Sequence, residues 1–213
     1  PFLLNIAVFP ALSRLSMLSR DKTMFLYKKS FYYMVMLALP ITTGLILLAD
    51  RIILYFYSAG FSSSIIALQI LAGTLGFVFV NYLMGYLLIA IDKQKLFTLS
   101  TAITTILNII LNLLLIPKYS YIGAAYATLI SEIVNFAMLY HFTSKNKFKV
   151  NIAGALAKPF LANILVIGII IYLKNLHLIA IVALSAIAYF AMIFLIKGIG
   201  KEEINVLKSF IGK

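Results

Sequence analysis

The chain contains no cysteine and no tryptophan, only two histidines, and few charged side chains. Among its 213 residues there are 6 Asp and Glu, and charged residues make up 11% of the total. Without cysteine there is no disulfide framework and no thiolate metal site, and two histidines do not suggest a metal centre. Soluble domains carry about 25% charged residues. The scarcity of charge excludes a soluble enzyme, a disordered chain and a secreted disulfide scaffold.

Apolar side chains make up most of the sequence, at 63% of residues with a mean hydropathy of +1.07. A helix crosses a bilayer with about 20 mainly apolar residues, and six stretches reach or approach that length. Residues 2–15 are apolar but too short to span alone, and we interpret them as the end of a truncated helix. The sequence therefore predicts an all-α integral membrane protein, a polytopic bundle of six complete transmembrane helices and one truncated N-terminal helix. The six predicted spans are residues 30–49, 65–91, 96–116, 122–142, 153–173 and 178–196.

Lysine and arginine are distributed unevenly between the predicted loops. Of the 18 in the chain, 15 lie in four segments, which alternate with segments that hold only Arg51, Lys118 and Lys174. Cytoplasmic loops carry the excess of positive charge, so this pattern predicts that the four basic segments and the C-terminus are cytoplasmic. The net charge of +12 is interpreted as a topology signal, and no nucleic-acid partner is expected. The basic segments are residues 14–29, 92–95, 143–158 and 197–213.

Polar side chains recur at helical spacing in two of the spans. Polar residues inside lipid face a bundle interior or a water-filled cavity, so their phase marks the inward face of each helix. Small and polar residues also allow helices to pack closely and to bond across an interface. The sequence leaves helix packing and cavity lining open as explanations. The stripe of residues 96–116 is Thr101, Thr104, Thr105, Asn108 and Asn112, and that of residues 122–142 is Gly123, Ala127, Ser131 and Asn135.

Glu132 is the acidic residue that lies clearly at membrane depth, near the middle of its span. Placing a carboxylate there costs about 2.5 kcal/mol or more on insertion scales. One interpretation is a protonation switch or a substrate contact in a hydrated cavity. The other is a structural acid, protonated or bonded to an amide such as Asn135. Pro40 interrupts its own span and predicts a kink, which could also serve as a hinge.

Motifs of enzyme active sites are missing from the sequence. It holds no paired loop carboxylates, no GxSxG, no HExxH and no phosphate-binding glycine loop. The loops between the predicted spans are too short to house a catalytic domain. We therefore predict a transporter rather than an enzyme.

Five stretches, taken in order, resemble the polysaccharide flippases of the multidrug/oligosaccharidyl-lipid/polysaccharide (MOP) exporter superfamily, which serve O-antigen, capsule and lipopolysaccharide biosynthesis. The order and spacing hold as far as about His141, and beyond Asn151 only the hydropathy agrees. The most specific part is the asparagine-rich helix with its proline turn and the GAA…SE block. The stretches are FPALSRL at 9–15, LPITTGL at 39–45, LQILA at 68–72, NIILNLLLIPKY at 108–119 and GAAYATLISE at 123–132.

The resemblance implies two pseudo-symmetric helical lobes around a central cavity, of which this chain is most of the C-terminal lobe. Residues 1–142 would be the lobe core, a partial first helix plus four spans. A basic cytoplasmic loop follows at 143–152, then two additional helices at 153–196 and a basic cytoplasmic tail at 197–213. The N-terminal lobe would be the partner missing from the same chain. The spans contain no central Arg or Lys, although such flippases often use cations for the pyrophosphate.

The implied activity is alternating-access flipping of undecaprenyl-pyrophosphate-linked oligosaccharide repeat units from the inner to the outer leaflet of the bacterial inner membrane. No cofactor is expected, and the resemblance leaves proton or sodium coupling open. A drug/cation antiporter of the same superfamily is the nearest alternative, and a membrane polymerase or glycosyltransferase-associated protein is the more distant one. No catalytic residue and no metal ligand is predicted. The candidates for the substrate path are Glu132, Asn108, Asn112, Asn135, Ser131, Thr104, Thr105 and Arg14, with Pro40 as the candidate hinge.

Overall fold

The computed structural model describes residues 8–198, which are almost entirely helical and contain no strand. Helices α2 and α6 each begin where a side chain accepts a hydrogen bond from a free backbone N–H, Ser19 from Lys22 and Asn151 from Gly154. The basic tail at 199–213 and the start of the truncated helix at 1–7 lie outside the described residues. The helices are α1 Phe9–Leu18, α2 Arg20–Leu47, α3 Ala49–Phe56, α4 Ser64–Ala90, α5 Gln94–Lys145, α6 Ile152–Tyr172 and α7 Leu178–Leu195.

Helix α5 contains two of the predicted spans in one run of 52 residues. A straight helix of that length would extend about 80 Å, far beyond a hydrocarbon core of about 30 Å. The helix instead turns back at Ser120, whose φ of 51° and ψ of −137° are not helical. Hydrogen bonds from Ser100 to Asn135 and from Asn108 to Ser131 join the two limbs as an antiparallel pair.

Among the described residues, five helices are long and apolar enough to cross a membrane, namely α2, α4, α5, α6 and α7. With α5 divided into its limbs, 94–119 and 121–145, they account for the six predicted spans. The fold class is thereby confirmed. Helix α2 differs from its prediction because it begins at Arg20, ten residues earlier than the apolar run. Helix α3 was not predicted, and its Ala49 and Ile53 are buried.

Two groups of buried side chains hold the bundle together. The larger one joins α1, the first half of α2, α4 and the end of α5 through residues such as Leu12, Tyr27 and Leu87, which are fully buried. The second joins α2 to α6 and α7 through residues such as Val166 and Tyr189. Many large apolar side chains on α5, α6 and α7 point outward. In a soluble protein so much exposed apolar surface would favour aggregation, whereas in a bilayer it contacts lipid.

The four basic segments of the sequence meet at one end of the bundle. Ser16 donates to the Ala90 carbonyl at 2.6 Å, which joins the α1–α2 corner to the end of α4. Arg20 donates to the Lys147 carbonyl and lies 5.7 Å from the ring centroid of Phe148. Lys158 donates to the Lys197 carbonyl at 2.8 Å. The charge asymmetry read from the sequence is therefore an asymmetry between the ends of the folded molecule.

The opposite end carries the three remaining cations. Arg51 donates to the carbonyls of Lys174 and Leu176, both at 2.6 Å, and so joins α3 to the α6–α7 loop. Tyr121, beside the turn of α5, donates to the Ser63 carbonyl at 3.0 Å. The cytoplasmic location of the basic end remains a prediction.

Candidate translocation site

A cavity of about 300 Å³ lies between α4 and the two limbs of α5. It opens among helices whose outer surfaces are apolar, yet nine of the eleven residues that line it are asparagine, threonine, serine or glutamate. Two aromatic side chains, Tyr82 and Phe97, complete its wall. The lining residues are Asn81, Tyr82, Phe97, Thr101, Thr104, Thr105, Asn108, Thr128, Ser131, Glu132 and Asn135.

Glu132 is held in this cavity by Asn81 of α4. The Asn81 Nδ2 donates to Glu132 Oε2 at 2.7 Å and to the Glu132 backbone carbonyl at 3.1 Å. Asn81 is only 4% exposed, and its Oδ1 is buried without a hydrogen-bond partner. A hydrogen bond to an ionised carboxylate is stronger than a neutral one. The pair therefore fixes the carboxylate and ties α4 to the second limb of α5.

Two hydrogen bonds between polar side chains cross from one limb of α5 to the other. Ser100 donates to Asn135 Oδ1 at 2.6 Å, and the Asn108 amide donates to Ser131 Oγ at 3.2 Å. The Asn112 amide donates to both the carbonyl and the side-chain oxygen of Asn108 at 2.9 Å. Asn108, Ser131 and Asn135 thus both join the two limbs and line the cavity. Both explanations that the sequence left open apply to this face.

Most of the predicted path residues come together in the cavity, and two do not. Asn112 lies outside the lining and reaches it through Asn108. Arg14 is exposed on α1 and borders a separate hollow of about 490 Å³. Pro40 lies inside α2, beside another cavity. The predicted path residues that line the polar cavity are Glu132, Asn108, Asn135, Ser131, Thr104 and Thr105.

Asn81 lines the cavity and bonds Glu132, and the sequence analysis did not predict it. It is the asparagine of α4, whose span is uncharged and shows no polar stripe. A buried amide in such a helix costs free energy unless it is bonded, and that cost is the signal that could have identified Asn81.

The electrostatic character of the cavity is acidic rather than basic. Its described lining includes one carboxylate and no lysine or arginine. No group of three His, Asp or Glu residues among residues 8–198 could hold a metal ion. The lining offers both hydrogen-bond donors and hydrogen-bond acceptors, together with two aromatic surfaces. Such a lining suits sugar hydroxyls better than phosphate.

Comparison with known proteins identifies the family. The family model described as "Lipid II flippase MurJ" matches residues 3–198. The chain belongs to the MurJ lipid flippase family. This family lies within the MOP superfamily that the motifs indicated, and a flippase family agrees with the prediction of a transporter rather than an enzyme.

Two relatives of this MurJ-family chain illustrate its fold and extent. The curated protein "Probable low-salt glycan biosynthesis flippase Agl15" of Haloferax volcanii is 32% identical over 109 residues, covering 51% of this chain and 23% of the relative. A solved structure, "Lipid II flippase MurJ, inward closed conformation", shares the fold with a TM-score of 0.75 at 22% identity. The match covers 89% of this chain and 42% of that one. The chain therefore spans less than half the length of these relatives.

Proposed function

We propose that this chain forms one wall of a pathway that flips a lipid-linked glycan across a membrane by alternating access. The polar cavity around Glu132, set among lipid-facing helices, is the observation that carries the proposal. Membership in the MurJ family supports it, as do the relatives named for lipid II and for glycan biosynthesis. The substrate we propose is an undecaprenyl-pyrophosphate-linked oligosaccharide repeat unit, moved from the inner to the outer leaflet of the bacterial inner membrane with the C-terminus cytoplasmic.

The physical need for such a cavity follows from the chemistry of the head group. Sugar hydroxyls and phosphates lose their hydration in about 30 Å of hydrocarbon, and each unpaired polar group costs several kcal/mol there. The amides and hydroxyls of α5 replace water as hydrogen-bonding partners. Because the described lining holds no cation, we assign the cavity to the sugar portion. The cations for the pyrophosphate would come from the predicted N-terminal lobe.

Glu132 also provides a candidate for ion coupling, by a proton or by sodium. A proton on the carboxylate removes the charge that strengthens its bond from Asn81. Because that bond connects α4 to α5, its strength bears on how the two helices move relative to each other. We propose that binding of a proton or a sodium ion to this carboxylate is linked to the transport cycle.

The test is a flipping assay in proteoliposomes with the protein expressed from its native reading frame. We expect wild type to move a fluorescent undecaprenyl-pyrophosphate oligosaccharide between leaflets, and Glu132→Gln to slow this by about tenfold or more, which corresponds to about 1.4 kcal/mol. Asp92→Asn is the matched control, since it makes the same carboxylate-to-amide change at an exposed turn residue that does not line the cavity. Wild-type rates in Glu132→Gln would contradict the role of the cavity.

A drug/cation antiporter is the second candidate, because a cavity with a carboxylate and no cation also suits a positively charged substrate. The same proteoliposomes distinguish the two functions. An antiporter would exchange an organic cation for protons or sodium and leave the lipid-linked oligosaccharide in place. If the protein is a flippase, the lipid-linked oligosaccharide moves between leaflets and the organic cation is not exchanged.

A further inference from the structure

Helix α2 has a gap in its hydrogen bonding at Pro40, and α7 fills it. Proline has no N–H, so the carbonyl of Met36, four residues earlier, receives no bond within the helix. The hydroxyl of Tyr189 donates to that carbonyl at 2.6 Å. Tyr189 is fully buried and Met36 is 6% exposed. Water has no access to this carbonyl, so the Tyr189 hydroxyl is what satisfies it.

Space for movement lies directly beside this bond. A cavity of about 330 Å³, almost wholly apolar, lies between the part of α2 that follows Pro40 and helices α6 and α7. Ile41 and Gly44 line it from α2, and Ser185 and Tyr189 line it from α7. Its lining side chains Ile41, Val182 and Phe190 are also exposed at the bundle surface, so it is an open apolar groove and not an enclosed void. The outer part of α2 therefore has room to change position against its neighbours.

Buried polar atoms around the same segment lack partners. Asn163 of α6 donates through Nδ2 to Thr43 Oγ1 at 2.7 Å, while its own Oδ1 has none. The side-chain oxygens of Thr42 and Ser185 are also buried and unpaired. A buried polar group without a partner is costly and rare in a settled structure. These unpaired atoms lie on α2, α6 and α7, so hydrogen bonding between this segment of α2 and its neighbours is incomplete in this arrangement.

We propose that α2 bends at Pro40 during the transport cycle and that Tyr189 is the positioning residue which holds the bend in the arrangement described here. The inner part of α2 stays fixed in the larger core, and residues 41–47 move against α6 and α7. Helix α7 thereby controls the angle of α2 through one hydrogen bond. This inference rests on the proposed function, because the movement serves the alternation of access.

The test is a cycle of substitutions at both ends of the hydrogen bond. Tyr189→Phe removes the donor and keeps the ring, so the Met36 carbonyl is left unpaired. Pro40→Ala restores the backbone N–H, which then bonds the same carbonyl within the helix. We expect Tyr189→Phe to lower the melting midpoint by about 2–4 °C in the native background. In the Pro40→Ala background the same change should have little effect.

The hinge itself is followed by the distance between two spin labels in lipid nanodiscs. This chain has no cysteine, so Leu47→Cys and Tyr172→Cys place labels at the outer ends of α2 and α6, where both side chains are exposed. Tyr189→Phe is expected to broaden and shift the distance distribution, and Pro40→Ala to narrow it. Tyr126→Phe, which removes a hydroxyl from an exposed side chain on α5, is the control.

The result that overturns the proposal is a distance distribution in Tyr189→Phe that equals wild type, or a change of equal size in the Pro40→Ala background. If Pro40→Ala is not recovered folded, Pro40→Leu replaces it, since any residue other than proline restores the N–H. The distance measurement needs no substrate. Loss of the proposed flipping activity in the Glu132 assay would therefore not be confused with failure of the hinge.

Discussion

At the scale of single residues, the amide of Asn81 determines where the carboxylate of Glu132 points. Asn81 makes two hydrogen bonds to Glu132 and keeps an unpaired buried oxygen beside the cavity. The pair therefore both joins α4 to α5 and orients the Glu132 carboxylate.

Replacing Asn81 with leucine tests this dual function. The Glu132 carboxylate then lacks its donor, and we expect the free energy of unfolding to fall by about 1–3 kcal/mol and flipping to slow. Thr74→Val is the control, since Thr74 is also buried on α4 but its hydroxyl bonds only the Leu71 carbonyl of its own turn. Chemical denaturation of both variants in detergent gives the comparison. Equal stability losses would show that Asn81 contributes no more than an ordinary buried polar residue.

The inward orientation of Glu132, and of the two polar stripes that include Thr104 and Asn135, was predictable because polar residues at membrane depth face the bundle interior. The structure places Arg14, another predicted path residue, outside the lining of the cavity. Asn81 follows no periodic pattern. Which partner a buried acid meets depends on tertiary packing, and a single sequence does not contain that information.

At the scale of elements, the turn in α5 sets the geometry of the site. The antiparallel limbs bring Asn108 opposite Ser131 and Ser100 opposite Asn135. The turn is tight because residue 123 is a glycine. A Cβ there would lie 2.4 Å from the Leu115 carbonyl oxygen.

Gly123→Ala is therefore expected to force the limbs apart. Overpacked substitutions typically cost about 1–3 kcal/mol, so the variant should be less stable and should recover poorly from membranes. Gly76→Ala is the control, because a Cβ at that position meets nothing within 4 Å. Unfolding midpoints followed by circular dichroism compare the two. A Gly123→Ala protein as stable as Gly76→Ala would contradict the tight approach of the limbs.

The break between the limbs was predictable from Pro117 and the charge at Lys118, whereas the early start of α2 was not. Hydropathy marks the segment inside the lipid but not the helix that continues beyond it, and residues 20–29 are charged yet helical. Helix α3 was missed because eight residues are too few for a span. Ala49 and Ile53 of this helix are buried, whereas Leu54, Tyr55 and Phe56 are exposed.

At the scale of the whole molecule, the distribution of charge gives the bundle a direction. The basic segments cluster at one end, and Arg51, Lys118 and Lys174 lie at the other. With cytoplasmic retention of positive charge, the turn at Lys93 should be inside the cell and the residues around Ser62 outside. Both positions are exposed.

Cysteine labelling tests this orientation directly, since the chain has no cysteine of its own. In intact cells a membrane-impermeant maleimide is expected to label Ser62→Cys and to spare Lys93→Cys, and both should react after the membrane is permeabilised. Labelling of Lys93→Cys alone in intact cells would reverse the topology. Such a reversal would also reverse the direction of the pathway.

The central claim, that the polar cavity contacts the glycan during flipping, is tested most directly by photocrosslinking. A photoreactive residue at Thr105 faces the cavity, whereas one at the adjacent Ile106, which is 58% exposed, is outside its lining. In membranes that are actively flipping substrate, the account predicts a glycan-bearing adduct at position 105 and none at position 106. Equal adducts at both positions, or none at position 105 while flipping proceeds, would contradict it.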